Sequence, residues 1–351
     1  MLKTHLLFFL PFFVFLFLSN SSQVKTKTDT ECPYISFKGD RRINKNSLRI
    51  IQYNVEWLFV DYYSAFDCPG SKCTWNNESE ALTHLNYVSN VIKELDPDII
   101  NLCEVEGCDE LNMLINNLDS SYMPYLKKGT DTSTGQNVGL LTRIDPIIDL
   151  YRTEDRYTYP IENSTCGYTG NSGTEGVSKH YITEFNINGN LNIAFIGAHF
   201  LANPTDPTRC AEREAQAQVL QKYIYNYTQQ GYEIVMIGDF NDFDKLVPDM
   251  NNNIPTSKVL DILKGYYGSY AGKYELFSAA QDVPQYQRYS DWWDPNEDCI
   301  SESNEFSVID HILLSKNLRE KVFDVFFYHG YDEFCGKYNS DHYPVVLDLI
   351  L

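Results

Sequence analysis

Hydrophobic positions along the chain follow two spacings, one typical of strands and the other of helices. Residues 48–55 and 99–103 have the length and apolar content of strands. Between them, apolar residues recur every three or four positions over residues 81–95, until Asp96-Pro97 interrupts the pattern. This part of the sequence therefore predicts a strand, a loop, a helix and a second strand.

The same two patterns continue to the end of the chain. Further helices are predicted at 111–118 and 211–227, and the signal Asn188-Gly189-Asn190 predicts a hairpin between two later strands. The remaining predicted strands are 138–141, 181–187, 191–200, 233–237, 307–314, 322–327 and 345–350. Because hairpins and strand-helix-strand units both occur, we expect mixed sheets covered by helices.

The first 22 residues show a different pattern. Lys3 precedes an apolar run over residues 6–18, and small polar residues follow it, as in a secretory signal cleaved near Ser21 or Ser22. An uncleaved membrane anchor is the alternative, but the run is shorter than the roughly 20 residues that a spanning helix needs. No later segment is long and apolar enough to span a bilayer.

Length and charge narrow the classes of protein further. The chain has 351 residues and 43% hydrophobic content, enough for a sizeable core. A polar leader is predicted at 23–46, and no linker divides the following residues, so 47–351 is predicted to be one domain. The protein is also predicted to be a monomer. The net charge of −20 gives no basic surface for nucleic-acid phosphates, although carboxylates can hold cations that meet an anionic substrate.

Cysteines and sequons predict secretion into an oxidising compartment. All nine cysteines follow the predicted signal segment, which favours several disulfides and at least one free thiol. The predicted pairs are Cys68–Cys73, Cys166–Cys210 and Cys299–Cys335. A zinc site is the alternative, but no Cys-x-x-Cys occurs. Glycosylation is predicted at three Asn-x-Ser/Thr sequons, which begin at Asn77, Asn163 and Asn226.

Polar side chains stand at or within predicted strands where hydrophobic residues would be expected. Each alone has an ordinary explanation, as a solvated strand end, a turn or a hydrogen-bonded core residue. Asp310 is predicted in the middle of an apolar strand, where it needs a partner. With a strand period of two, Asn54 and Glu56 would share a face and could share one cation. The ordered set argues against coincidence: Asn54, Glu104, His199, Asp239, Asn241, Asp310, Asp341 and His342.

Six motifs in this order resemble the endonuclease/exonuclease/phosphatase superfamily, which includes pancreatic-type deoxyribonuclease, apurinic endonucleases, neutral sphingomyelinases and inositol polyphosphate 5-phosphatases. They are YNVEWLF at 53–59, NLCEV at 101–105, AHF at 198–200, GDFN at 238–241, IDHILLS at 309–315 and SDHYPV at 340–345. The resemblance implies an α/β fold, a four-layer sandwich in which two packed mixed β-sheets are flanked by helices. It also implies hydrolysis of phosphate esters with Mg²⁺, or with Mn²⁺ or Ca²⁺.

The resemblance further implies a set of metal ligands. Glu104 would be the principal ligand, Asn54 would help to hold the metal or the phosphate, and Glu56 matches a second carboxylate ligand in part of the family. Asp341 would face the metal or the phosphate. These hard oxygen donors suit Mg²⁺ or Ca²⁺, and a cation can neutralise the oxygens of an anionic phosphodiester.

Catalytic roles follow from the same resemblance. Asp239 and Asn241 would position the attacking water and the phosphate, and His342 would act as the base with Asp310 orienting it. A histidine held by a buried carboxylate keeps one tautomer and becomes more basic. Because neighbours on a strand point to opposite faces, His311 is predicted to face away from the site.

Other positions modify the resemblance. His199 would be the acid or the phosphate-stabilising histidine, and Lys179 aligns with a basic residue that contacts phosphate in the deoxyribonuclease branch. Gln136 stands where that branch has a Glu partner for the histidine, so its support for His199 would be weaker. Cys103 replaces the usual Gln before the metal Glu, and it is predicted either to pair with Cys108 or to be a buried thiol.

The sequence favours nucleic acid over phospholipid as the phosphodiester substrate. A sphingomyelinase needs an element that touches the membrane, and Trp292-Trp293 offers adjacent indoles of the kind that favour a bilayer interface. Four acidic residues around the pair would repel anionic lipid, so packing or a second cation site at 294–298 is preferred. A secreted binding protein on an inactive scaffold is the non-enzyme alternative, but it predicts a lost catalytic position, and none is lost.

Overall fold

The architecture is that of a computed structural model, which describes residues 31–33, 39–62, 73–331 and 337–351. The predicted signal segment and most of the predicted polar leader lie outside these residues. Among the helices of the described residues, none combines the length and the apolar character that crossing a bilayer requires.

One large sheet contains six strands. From edge to edge these are β14 (Val322–Phe327), β15 (Val345–Ile350), β1 (Ser47–Leu58), β2 (Ile99–Val105), β4 (Asn137–Thr142) and β3 (Met123–Leu126). Among the described strands of this sheet only β1 and β2 are parallel, and α1 (Glu78–Leu95) connects them. The helix α2 (Cys108–Asn117) follows β2.

The other large sheet contains five strands. From edge to edge these are β10 (Leu276–Ser278), β13 (Asp310–Ser315), β9 (Glu233–Asp239), β8 (Leu191–His199) and β7 (Lys179–Ile187). Here β8 and β9 are the parallel pair, and α3 (Pro207–Gln229) connects them. Two short helices, α4 (Val259–Leu263) and α5 (Lys316–Arg319), come later in the chain.

Two small ribbons complete the described strands. One pairs β5 (Arg156–Tyr159) with β6 (Gly173–Gly176), and the other pairs β11 (Asp291–Trp292) with β12 (Phe306–Ser307). The second ribbon corrects the predicted strand at 307–314. Residue 307 of that predicted strand belongs to β12, and residues 310–314 belong to β13. Asp310 is therefore the first residue of a strand and not the middle of one.

The side-chain pattern of β1 shows why the sheets stack in layers. Leu48 and Ile50 face the other sheet in the central core, whereas Ile51 and Tyr53 pack on the opposite side, in the cluster that includes α1. The second sheet likewise packs its outer face against α3 and α4. Helices, sheet, sheet and helices therefore form four layers, which confirms the predicted α/β sandwich.

Local signals place the ends of the elements. The side chain of Asn77 accepts a hydrogen bond from the Glu80 N–H and caps α1, and Asp96 ends that helix in the left-handed conformation. Asn188 and Gly189 have φ of 54° and 80°, as a two-residue hairpin requires. The predicted helix end and the predicted hairpin are both confirmed.

The disulfides confirm one prediction and correct another. Cys166 pairs with Cys210 as predicted. Cys108 pairs with Cys32, so the predicted alternative of a Cys103–Cys108 bond is wrong. Cys103 is a buried thiol, which was the other alternative. Cys73 and Cys299 are also disulfide-bonded, but their predicted partners, Cys68 and Cys335, lie outside the described residues.

Candidate active site

Both parallel strand pairs end at the same edge of the sandwich. The carboxyl ends of β1 and β2 carry Asn54 and Glu104, and those of β8 and β9 carry His199 and Asp239. Strand β13 runs antiparallel to β9 and brings its first residue, Asp310, opposite Asp239. The packing of the two sheets therefore gathers side chains that lie far apart in the sequence.

The end of β1 departs from a regular strand. Glu56 and Trp57 have φ of 48° and 46°, and the Glu56 N–H donates to the Asn54 side-chain oxygen at 3.0 Å. The pairing with β2 shifts register after Asn54. The backbone therefore leaves the extended conformation at Glu56, so the regular alternation used to predict a shared face does not continue through it, and one cation shared by Asn54 and Glu56 stays a prediction.

Glu104 occupies the junction between the sheets. Its carboxylate accepts hydrogen bonds from the Trp57 N–H at 3.0 Å and from Asn54 Nδ2 at 3.3 Å. The same Asn54 nitrogen lies 3.0 Å from Asp239 Oδ2, and His199 Nε2 lies 4.0 Å from Glu104 Oε1. Glu104 is half-buried, so its carboxylate combines fixed geometry with access to solvent.

Glu56 and Asp341 form a second pair of carboxylates beside it. Glu56 accepts from the Asp341 N–H at 3.2 Å and from the Thr74 hydroxyl at 3.1 Å. Burial and the negative charges of Asp341 and Glu104 hold the pKa of Glu56 well above its usual range. Burial, together with Asp291 and Glu104, raises the pKa of Asp341 to about 7. Its Oδ1 accepts no hydrogen bond among the described residues, although His342 Nε2 lies 3.9 Å away.

His342 is held by a carboxylate from another strand. Its Nδ1 lies 2.7 Å from Asp310 Oδ2, and both residues are buried. Burial lowers the pKa of His342, but the charges of Asp310, Asp341 and Asp291 outweigh it and place the pKa well above its ordinary value. The neighbouring His311 points away, with Nε2 2.8 Å from the Asp242 carbonyl oxygen, as predicted.

Asp239 and Asn241 make a tight turn after β9. The Asn241 N–H donates to Asp239 Oδ1 at 2.8 Å, and its side-chain amide donates to the Phe200 carbonyl oxygen at 3.3 Å. Burial and the charge of Asp310 raise the pKa of Asp239 to about 8. His199 Nε2 lies 3.5 Å from Asp239 Oδ2.

The surroundings of His199 correct one prediction. Gln136 does not support His199, because its side-chain oxygen instead accepts from Lys179 Nζ at 3.2 Å. The buried His199 Nδ1 has no hydrogen-bond partner among the described residues. Burial and the charges of Lys179 and His342 hold the pKa of His199 well below its usual range. Lys179 is buried opposite His199 in the β7–β8 ladder.

These donors fit a divalent cation. Ligand atoms of Asp239, Asp310 and His342 lie within 4.8 Å of one another. The side-chain nitrogen of Asn54 donates to both Asp239 and Glu104 and so links the Glu104 carboxylate to this group. Burial, together with the neighbouring negative charges, raises the pKa values of Glu56, Asp239 and Asp341, and a cation would offset that accumulation of negative charge. Carboxylate and amide oxygens are the donors that Mg²⁺ and Ca²⁺ prefer.

Sequence reasoning missed two residues of the site. Asp291 Oδ1 lies 3.6 Å from His342 Nε2, and burial raises the pKa of Asp291 to about 6. Gln52 donates to Asp310 Oδ1 at 2.9 Å. Gln52 precedes the first motif by one position on a strand otherwise rich in apolar residues, which was an available signal. Asp291 gave none, because a ribbon outside both sheets presents it.

The adjacent tryptophans have different environments. Trp292 is buried, and its indole N–H donates to Glu305 Oε2 at 2.9 Å. Trp293 is 69% exposed. Ordinary packing therefore accounts for Trp292, and only Trp293 is available for contact with a ligand or a surface.

Comparison with known proteins agrees with this architecture. The sequence profile described as the Endonuclease/Exonuclease/phosphatase family matches residues 51–342. The chain therefore belongs to this family, whose members are generally hydrolases of phosphoric esters that use divalent metals. No curated protein matches the sequence significantly.

Solved structures share the fold at low sequence identity. Truncated TDP2 from Caenorhabditis elegans has a TM-score of 0.51 and 17% identity, with 87% of this chain and 98% of that chain covered. A family protein from Leptotrichia buccalis has a TM-score of 0.51 and 16% identity, with 87% and 100% covered. D. rerio TDP2 humanized by 14 mutations has a TM-score of 0.50 and 15% identity, with 86% and 98% covered. These similarities establish the fold alone.

Proposed function

We propose that this protein is a secreted phosphodiesterase, dependent on a divalent metal ion and nuclease-like in its substrate. One observation carries the proposal above all others. The His342–Asp310 couple, at 2.7 Å, lies next to Asp239 at the end of β9, and Asn54 links Asp239 to Glu104 at the end of β2. A base next to a place for a cation is what hydrolysis of an anionic phosphodiester requires.

The metal would be held by Glu104, Asn54, Glu56 and Asp341. When bound, the cation neutralises the phosphate oxygens and so lets a nucleophile approach. Asn54 also holds two carboxylates in place, because its Nδ2 donates to Glu104 Oε1 and to Asp239 Oδ2.

His342 would remove the proton from the attacking water. Because its Nδ1 faces Asp310, the Nδ1–H group donates a hydrogen bond to the carboxylate. The unprotonated Nε2 is then left to face the site and accept a proton. Asp239 and Asn241 would orient the water and the phosphate. His199 would act as an acid or stabilise the phosphate.

Lys179 would contact the phosphate from the edge of the site. It stands opposite His199 in the ladder between β7 and β8, so the two proposed phosphate contacts lie on neighbouring strands. Its present bond to Gln136 leaves the ammonium further donors for an anion.

A phospholipid phosphodiester is the second candidate substrate. The observation that favours it is Trp293, a residue 69% exposed and two positions after Asp291. The buried Trp292 and the net charge of −20 count against an anionic lipid surface. Nucleic acid reached through bound cations therefore remains the preferred substrate. The third alternative, a binding protein without activity, is disfavoured because the sequence has lost none of the positions to which the family resemblance gives a catalytic role.

Secretion is supported by covalent and surface features. The Cys32–Cys108 and Cys166–Cys210 disulfides are compatible with an oxidising route. All three sequon asparagines are exposed, as glycosylation requires. We expect the secreted protein to be a monomer.

Hydrolysis of three substrates tests the function. Plasmid DNA, RNA and sphingomyelin vesicles are incubated with the purified protein and Mg²⁺, with and without a chelator. We expect cleavage of nucleic acid that the chelator abolishes. His342→Ala should lower the rate by about 10²–10⁴, the usual contribution of a general base.

His329→Asn provides the matched control, because His329 is a half-buried histidine bonded to the Tyr289 carbonyl oxygen and has no proposed role. It should retain the wild-type rate. Lack of hydrolysis of all three substrates would refute the proposal, as would a rate indifferent to both the chelator and His342→Ala.

A further inference from the structure

A chain of four buried hydrogen bonds leads from the second sheet to the proposed base. The Tyr181 hydroxyl donates to Asn101 Oδ1 at 2.7 Å, and Asn101 Nδ2 donates to Gln52 Oε1 at 2.6 Å. Gln52 Nε2 donates to Asp310 Oδ1 at 2.9 Å, and Asp310 Oδ2 faces His342 Nδ1 at 2.7 Å. These five residues come from β7, β2, β1, β13 and the turn before β15.

Apolar side chains would be the ordinary occupants of these places. On β1 the face toward the other sheet carries Leu48 and Ile50 before Gln52, and on β2 the corresponding face carries Ile99 before Asn101. Gln52 and Asn101 are both fully buried. Buried amides are costly unless their oxygen and nitrogen both have hydrogen-bond partners. The hydrogen bonds described above give such partners to the amides of Gln52 and Asn101.

The chemistry of the groups fixes the direction of the chain. An ionised carboxylate only accepts hydrogen bonds, so Gln52 must turn its NH₂ group toward Asp310. The Gln52 oxygen then faces Asn101, which must donate, and the Asn101 oxygen accepts from the Tyr181 hydroxyl. Each member therefore has one orientation, and Asp310 keeps Oδ2 for the imidazole.

We propose that Gln52 is a positioning residue for the reaction, with Asn101 and Tyr181 as its supports. This inference rests on the proposed function of the site. Gln52 touches neither substrate nor metal ligand in the proposed roles; it fixes the rotation of the Asp310 carboxylate. Asp310 in turn directs His342 Nε2 into the site.

Kinetics of Gln52→Met test the proposal, since methionine keeps the length of the side chain and removes its amide. We expect kcat to fall about tenfold to a hundredfold, as for a catalytic group displaced by about 1 Å, with KM within about twofold of wild type. In an Asp310→Asn background the same substitution should cost no further activity, because Gln52 acts through Asp310.

The control is Thr183→Val. Thr183 is fully buried and donates to the Ile148 carbonyl oxygen, outside the chain of bonds. It should lower thermal stability without changing kcat. Full additivity of Gln52→Met with Asp310→Asn, or a kcat unchanged by Gln52→Met, would overturn the proposal.

A spectroscopic measurement separates this proposal from the proposed function. In protein with ¹⁵N-labelled histidine, the His342 Nδ1 proton should give a downfield signal that disappears in Asp310→Asn. Gln52→Met should shift or broaden that signal. If the wild type hydrolyses no phosphodiester but the signal still responds to Gln52→Met, the function fails and the positioning stands. If the signal does not respond, the positioning role is refuted whatever the activity.

Discussion

Four residues around the site adopt a backbone conformation that side chains other than glycine disfavour. Glu56, Trp57, Glu104 and Asn241 have φ of 48°, 46°, 68° and 50°. Such a conformation costs about 1–2 kcal/mol per residue, so the surrounding structure must hold it. Hydrogen bonds to Glu104 and Asn241 do so here. These residues lie at the ends of β1, β2 and β9, where the proposed site residues meet.

The Asp310–His342 couple makes a prediction about pH. His342 must be neutral to accept a proton, so activity should fall as pH drops through its pKa, which nearby carboxylates raise. Asp310→Asn removes one of those charges and should move the acid limb to lower pH, while the plateau rate falls. The pH profile of kcat/KM from pH 5 to 9 measures both effects.

Asp348→Asn is the matched control for that measurement. Asp348 lies on β15 and pairs with Arg49 of β1, away from the end of β15 that follows His342. Its loss should leave the pH profile unchanged. A profile flat from pH 5 to 8 in the wild type would count against His342 as the base. An acid limb that rises in Asp310→Asn would contradict the proposed electrostatics.

Among the elements, the two parallel strand pairs do most to build the site. Each pair is connected by a helix on the outer face, and each directs its carboxyl ends to the same edge. The approach of β8 to β9 is close: a Cβ at Gly238 would lie 1.8 Å from the Ala198 carbonyl oxygen. Gly238 also has φ of 154°, so it combines an unusual conformation with the absence of a side chain.

Gly238→Ala should therefore separate β8 from β9 and displace Asp239. We expect a loss of about 1–3 kcal/mol in the free energy of unfolding, as for other overpacked core sites, and a large loss of activity. Denaturant unfolding measures the stability. Gly39→Ala is the control, because a Cβ there would meet nothing within 4 Å. Equal stability of the two variants would show that the strands are not in such close contact.

For the whole molecule, negative charge is the dominant feature. The net charge is −20, and the site gathers carboxyls whose pKa values are raised, chiefly by burial. Raised values mean that the folded chain favours the protonated form. Their stabilising effect is intact below about pH 4, near the ordinary Asp value of 3.8, and is lost as pH rises toward about 7 for Asp341 and about 8 for Asp239.

The melting temperature in chelator should consequently fall between pH 5 and pH 8. Mg²⁺ should raise it more at pH 8 than at pH 5, because the ionised carboxylates bind the cation and protonated ones do not. Thermal unfolding at both pH values, with and without Mg²⁺, tests this. In Asp239→Asn the pH dependence should be smaller. If Mg²⁺ raised the melting temperature equally at both pH values, the prediction would be contradicted.

Much of the fold follows from periodicity alone. Helices at 81–95 and 211–227 and strands at 322–327 and 345–350 were predicted within a few residues, because long apolar patterns and clear caps define them. Short elements escaped prediction, among them β3, β5, β6, β10 and α4, since runs of three to five residues carry little periodic signal. The strand at 307–314 was divided wrongly, because pairing partners decide where a strand begins.

The sequence by itself determined which residues are available for chemistry, since polar groups at the ends of apolar runs stand out without any coordinates. The tertiary structure shows which of them meet. The family resemblance had already predicted that Asp310 orients His342, and the structure agrees. The structure alone showed that Gln136 contacts Lys179 and not His199, and that Asp291 and Gln52 belong to the site. The physical reason is that local spacing fixes the face of an element, whereas contacts between elements depend on how two sheets pack.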